Sequence, residues 1–192
     1  MSFLKGRVTF ARYKINGVPC GPPGINALDA LESNGIDRAR RESTTGTQAG
    51  WIAGDHVLDT KFDLAKNVVN DALLFSLRID EQKIPGDLLR AYFLAEAKLL
   101  GEKNPSGLPT AKQKKEARET AKERLEQESK DGRFLRRKVV DLLWDSSTNE
   151  LPVGTTTQTV LVIPAPLFKP THGRERTKID ANEEAARADQ TR

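Results

Sequence analysis

A lone cysteine, Cys20, leaves this chain with no partner for an intrachain disulfide and too few thiolates for a cysteine-rich metal cage. A metal site would have to draw on His56, His172 and carboxylates, and such cysteine usage fits a reducing cytoplasm. Aromatic residues make up only 6% of the chain and hydrophobic residues 37%, which is lean for a fully packed protein, so part of it is expected to stand in solvent. No apolar run approaches the roughly 18 residues of a membrane-spanning helix. The longest, "VLVIPAPLF" from Val160, is broken by Pro164 and Pro166, and the opening "MSFLKGRVTFARYK" lacks the continuous apolar stretch of a secretory signal.

Catalytic signatures are missing as well. No Walker loop, GxGxxG turn, CxxC pair, HExxH helix or GxSxG elbow occurs, which argues against the common enzyme classes. "GDH" at Gly54 to His56 sets an acid beside an imidazole, but adjacent residues of a strand point to opposite sides, so a surface or hydrogen-bonded histidine is the simpler expectation. Asp80, Glu81 and Asp87 form a loose acidic cluster, read as a solvated turn and helix start. No catalytic residue, cofactor or metal is expected.

The 192 residues suit one folded unit with irregular ends. Residues 6–15 alternate apolar and polar, with Val8 and Phe10 on one face, and predict a strand. After the breaker cluster "CGPPG", Ile25, Leu28 and Leu31 stand at helical spacing. A strand is expected around Trp51 and Ile52, and a stronger one over Ala72 to Ile79, apolar enough to be buried on both faces; both are placed in one sheet, and Trp51 and Trp144 are read as core aromatics. Past Pro85, the apolar residues Leu88, Leu89, Tyr92, Phe93, Leu99 and Leu100 predict an amphipathic helix over 86–101. Thr110 can cap a second helix from about 111 to 130. Beyond Gly132, "FLRRKVVDLLWD" reads as a strand with Phe134, Val140, Leu142 and Trp144 on one parity, and "STNE" as a turn to the partner "LPVGTTT". The expected fold class is α+β, a mainly antiparallel sheet packed with helices, plus a projecting charged helix at about 109–131 and a mobile tail over 159–192.

That charged helix carries the functional question. Its cations Lys114, Lys115, Arg118 and Lys122 share one arc of a helical wheel, and Glu116, Glu119, Glu123 and Glu126 share the adjacent arc. Ala117, Ala121 and Leu125 make a thin apolar edge beside the cations. One reading is a solvated arm held by i,i+4 pairs such as Lys112 with Glu116 and Lys115 with Glu119. The other is a phosphate-facing ridge, continued by Arg133, Arg136 and Arg137, that displaces counterions from a nucleic-acid backbone without reading bases. A membrane contact would need a bulkier apolar face.

The order of "FLKGRVTFARYKI", "AGWIAG", "DEQKIPGDLLRAYFLAE", a Lys-rich helix and "GRFLRRKVVDLLWDSSTNELPVGTTT" resembles the N-terminal half of the bacterial recombination-associated protein RdgC family, over about residues 1–158. The resemblance implies a non-catalytic α+β protein that pairs into a dimeric ring, passes double-stranded DNA through a basic hole without sequence preference, and restrains RecA-promoted strand exchange in the nucleoid. It points to Lys112, Lys114 and Lys115 as first phosphate contacts, and to Phe134 as an aromatic packed across subunits, although the strand reading allows Phe134 to be core instead. Preference for double or single strands stays open. The competing reading is a protein-interaction module that uses the charged helix for dimerisation or an acidic partner.

Overall fold

The structure, a computed structural model, describes residues 3, 9–17, 21–38 and 47–179, the side chains at 165 and 170 excepted. Val8 and Cys20 lie outside the described residues. In chain order the elements are β1 Ala11–Ile15, α1 Ile25–Ser33, β2 Thr47–Ile52, α2 Leu64–Asn67, β3 Val68–Val69, β4 Ala72–Gln82, α3 Gly86–Gly101, α4 Ala111–Ser129, β5 Leu135–Asp145, β6 Glu150–Val153, α5 Gln158–Leu161, α6 Pro164–His172 and β7 Arg176–Lys178. The strands form one seven-stranded, mainly antiparallel sheet in the order β2-β4-β5-β6-β1-β7, with β3 paired to β4. The fold class is α+β, as the sequence pattern indicates.

Instead of one folded unit the chain makes two compact ones, residues 1–79 with 137–192, and residues 80–136. The chain leaves the first along β4 and returns to it along β5, which are neighbours in the sheet.

Alternation along the strands builds the core of the first unit. Tyr13 and Ile15 of β1, Leu73, Phe75, Leu77 and Ile79 of β4, Val140, Leu142 and Trp144 of β5, and Leu151 and Val153 of β6 form one apolar cluster, joined by Leu28 and Leu31 of α1. β4 is buried on both faces from Ala72 through Asp80, so its other parity holds Leu74, Ser76, Arg78 and Asp80 out of water. Ser76 Oγ donates to Asp141 Oδ1 at 2.5 Å across to β5. Asp80, expected in a solvated turn, is thus a buried strand residue; Asp87 does sit in the first turn of α3, where a carboxylate favours the helix dipole.

Local chemistry sets the turns. Asn70 and Asp71 both adopt positive φ between β3 and β4, the backbone of a two-residue hairpin loop, with Val69 opposite Ala72. Between β5 and β6 the Asp145 carboxylate accepts from Ser147 Oγ at 2.6 Å, Ser147 N at 2.9 Å and Thr148 N at 3.2 Å, and these bonds lower its pKa. β2 runs so close to the end of α1 that a Cβ on Gly50 would meet Ile36 Cα at 2.4 Å, so this position must be glycine.

Two further expectations change. Phe10 precedes β1 and is 45% exposed, because the strand begins at Ala11 and its inward residues are Tyr13 and Ile15. Residues 159–178, expected as a mobile tail with at most a short helix, instead hold all but the first residue of α5, the whole of α6 and β7. Pro164 stands in the first turn of α6, where a missing N–H costs nothing, so prolines that look like breakers start a helix. Leu161 and Phe168 complete the core cluster, Trp51 Nε1 donates to Thr171 Oγ1 at 2.8 Å, and β7 pairs with β1 from Ile15 opposite Arg176 to Tyr13 opposite Lys178. Residues 180–192 lie outside the described residues.

His172 ends α6 among Phe75, Trp144 and Phe168, with ring centroids 6.2, 4.9 and 4.6 Å away, and its Nε2 is buried without a hydrogen-bond partner. Burial, helped by the charge of Arg174, lowers its pKa from 6.5 to about 4. The unfolded chain therefore binds the proton more readily between these values. The contribution of His172 is expected to be full above about pH 6.5 and to fall by about 3 kcal/mol on acidification to about pH 4, a loss that His172→Phe is expected to remove in urea melts run as a pH series.

The described core cluster takes no residue from 80–136, and Lys83 N donates to Phe134 O at 3.1 Å. Replacing residues 84–133 by Asn-Gly is accordingly expected to leave the first unit folded, with a single cooperative thermal transition. Loss of that transition would show that the sheet needs the insertion.

Candidate nucleic-acid interface

The second unit is a helical hairpin whose ends are fixed by short-range chemistry. Pro85, extended at the N-cap, starts α3, and Lys98 lies in its last turn. Gly101 ends α3 under the returning loop, where a Cβ would meet Pro109 Cδ at 2.8 Å. Thr110 and Gln113 then form a capping box for α4: Thr110 Oγ1 accepts from Gln113 N at 3.3 Å, and Gln113 Oε1 accepts from Thr110 N at 2.9 Å. Gln113 Nε2 also donates to Leu100 O at 3.1 Å, tying the start of α4 to the end of α3.

α4 is not a free arm. Ala117, Ala121, Leu125 and Ser129 are its buried residues, and Ala97 and Gly101 are those of α3, so small side chains let the helices approach closely. Polar contacts fasten the seam. Tyr92 Oη donates to Glu128 Oε1 at 2.8 Å, a bond that raises the Tyr92 pKa, and Arg124 lies 4.7 Å from the Tyr92 ring centroid with Glu96 at 3.6 Å and Glu128 at 3.7 Å. Arg118 lies 5.6 Å from the Phe93 ring centroid.

The buried strip fixes which charges face outward. At about 100° per residue, Glu116, Glu119, Glu123 and Glu126 fall opposite it, while Arg118 and Lys122 border it and Lys114 extends its line at the first turn. All the expected cations are exposed, but they are not equivalent. Lys115 pairs with Glu119 at 4.0 Å, Lys122 with Glu126 at 3.4 Å and Arg133 with Asp131 at 3.0 Å, exposed pairs worth little each. Lys112, Lys114 and Arg136 have no ion pair among the described residues, and the expected Lys112–Glu116 pair is not formed. Arg137 and Lys138 are exposed and engaged in contacts of their own.

The helix itself carries six cations and five glutamates, so its charges nearly cancel, whereas residues 130–138 hold five cations and one carboxylate. The density of positive charge therefore lies in the turn and strand that follow α4 rather than along it. Lys83 joins this region through its backbone bond to Phe134 O. Only strand pairing brings it there, from some fifty residues away in sequence, and no local pattern marks it. Phe134 is half-buried and stands outside the core cluster of the first unit, which the strand reading allowed it to join.

The other candidate centre does not assemble. His56 is exposed, and its Nδ1 accepts from Leu58 N at 3.2 Å in a local turn. Among the described residues no three His, Cys, Asp or Glu side chains converge on a metal position, and no helix is long and apolar enough to cross a membrane.

The chain matches no family model and no curated protein sequence.

Packing and charge contribute separately to the hairpin. Leu125→Ala is expected to cost about 3 kcal/mol of stability through the cavity it leaves, and Arg118→Ala less than about 1 kcal/mol; chemical denaturation followed by helical circular dichroism measures both.

Proposed function

We propose that this protein is a non-enzymatic, sequence-independent DNA-binding protein of the recombination-associated type, acting at the nucleoid to restrain RecA-type strand exchange. The observation that carries the reading is that Lys130 and Arg136, in the turn and strand after α4, and Lys112 and Lys114, in the first turn of α4, are exposed with no ion pair among the described residues. Cations not matched by internal carboxylates are those a phosphate backbone can neutralise with release of counterions. The resemblance in motif order over residues 1–158 supports the same reading and supplies its recombination context and the homodimer. The contacts assigned are Lys112, Lys114, Lys115, Arg118, Lys122, Arg133, Arg136 and Arg137, with Lys115, Lys122 and Arg133 weakened by their own pairs and Arg137 already engaged in a contact of its own.

A second reading, a protein-interaction module, is favoured by one feature: Leu94 and Leu99 of α3 are each 56% exposed on the hairpin that carries the charges. Gel filtration without nucleic acid separates the two, since an interaction module assembles with no DNA present.

Duplex affinity measured from 50 to 300 mM salt is expected to fall steeply, and the variant Lys112→Ala, Lys114→Ala, Arg136→Ala to flatten the log–log slope by about 2 to 3. A negligible slope in the parent chain, or an unchanged slope in the variant, counts against DNA binding through these groups.

A further inference from the structure

We propose that the turn after α4 is a docking point for single-stranded nucleic acid, in which one base stacks on Phe134 while Lys83, Lys130 and Arg136 hold the flanking phosphates. This deepens the nucleic-acid reading above and rests on it.

Three observations support it. The turn is built rigidly: Gly132 N donates to Ser129 O at 3.0 Å, Leu135 N to Gly132 O at 3.1 Å, Arg133 N to Asp131 Oδ1 at 3.1 Å and Lys83 N to Phe134 O at 3.1 Å, while Gln82 Nε2 donates to Ser129 O. Gly132, at φ 80°, takes the left-handed conformation that reverses the chain here. An aromatic on a braced backbone loses little freedom when a base stacks on it.

Second, Phe134 has no aromatic neighbour among the described residues and does not belong to the core cluster, although it is flanked by exposed cations. Lys83, Lys130 and Arg136 are exposed without an ion pair among the described residues; Arg133 is held by Asp131, which keeps one carboxylate at the rim. Cations interleaved with an aromatic suit a strand whose bases are unstacked, since every base has a π-face and recognition is then sequence-tolerant.

Third, the outward face of α4 sets a row of four glutamates among its cations, so the helix is nearly neutral and the net positive charge gathers in the turn that follows it. A flexible single strand can follow the short positive turn and avoid that row.

Anisotropy titrations of the full chain with a 20-nucleotide oligothymidine and a 20-base-pair duplex, at one salt concentration, test this. Phe134→Leu is expected to weaken oligothymidine binding about tenfold and to change duplex binding less than about twofold, while Phe134→Tyr, which keeps the ring, retains both. Equal losses on both ligands, or none on either, overturn the proposal. So does a change in solution mass caused by Phe134→Leu, which would place the ring between two copies of the chain. If the parent chain binds neither ligand, the DNA-binding reading falls with it; if it binds duplex and the ring is irrelevant, only the single-strand site falls.

Discussion

The packing of α4 against α3, which buries Ala117, Ala121, Leu125 and Ser129, decides how the charged helix is rotated, and the function turns on that rotation. Small residues on both helices allow the approach, and the approach leaves only one rotation in which α4 buries no charge. With the strip inward, the glutamates stand outward and Arg118 and Arg124 reach the rings of Phe93 and Tyr92. A sequence rich in lysine and arginine thus presents a mixed surface along the helix and a clearly positive one only beyond its end.

The same economy shapes the first unit. Its sheet draws on segments from both ends of the described chain, so α6 and β7 close what β1 begins. Trp51 on β2 and Thr171 on α6 are joined by a buried hydrogen bond across 120 positions, and His172 fills the aromatic pocket beside them in its neutral form. Burying a neutral imidazole without a partner for Nε2 makes this corner sensitive to acid.

Much of this was legible beforehand. The helix over 86–101, the cap at Thr110, the doubly buried strand through Ile79 and the hairpin after Trp144 follow from periodicity and turn chemistry, which act over a few residues. The order beyond Thr157 was not, because Pro164 and Pro166 read as breakers whether they start a helix or end one, and only the open position in the core left for Phe168 distinguishes the two. Charge pairing is only partly legible: Lys115 pairs with Glu119 and Lys112 does not pair with Glu116, since i,i+4 spacing permits a pair without requiring it.

By itself the sequence determined the elements, their caps and the inventory of charge, because those depend on neighbours within a turn or two. Tertiary structure alone decided which cations keep no carboxylate, that Lys83 stands beside Phe134, and that α4 shows its acids to solvent. Each of these depends on distant segments meeting, and on a desolvation cost that no local pattern expresses.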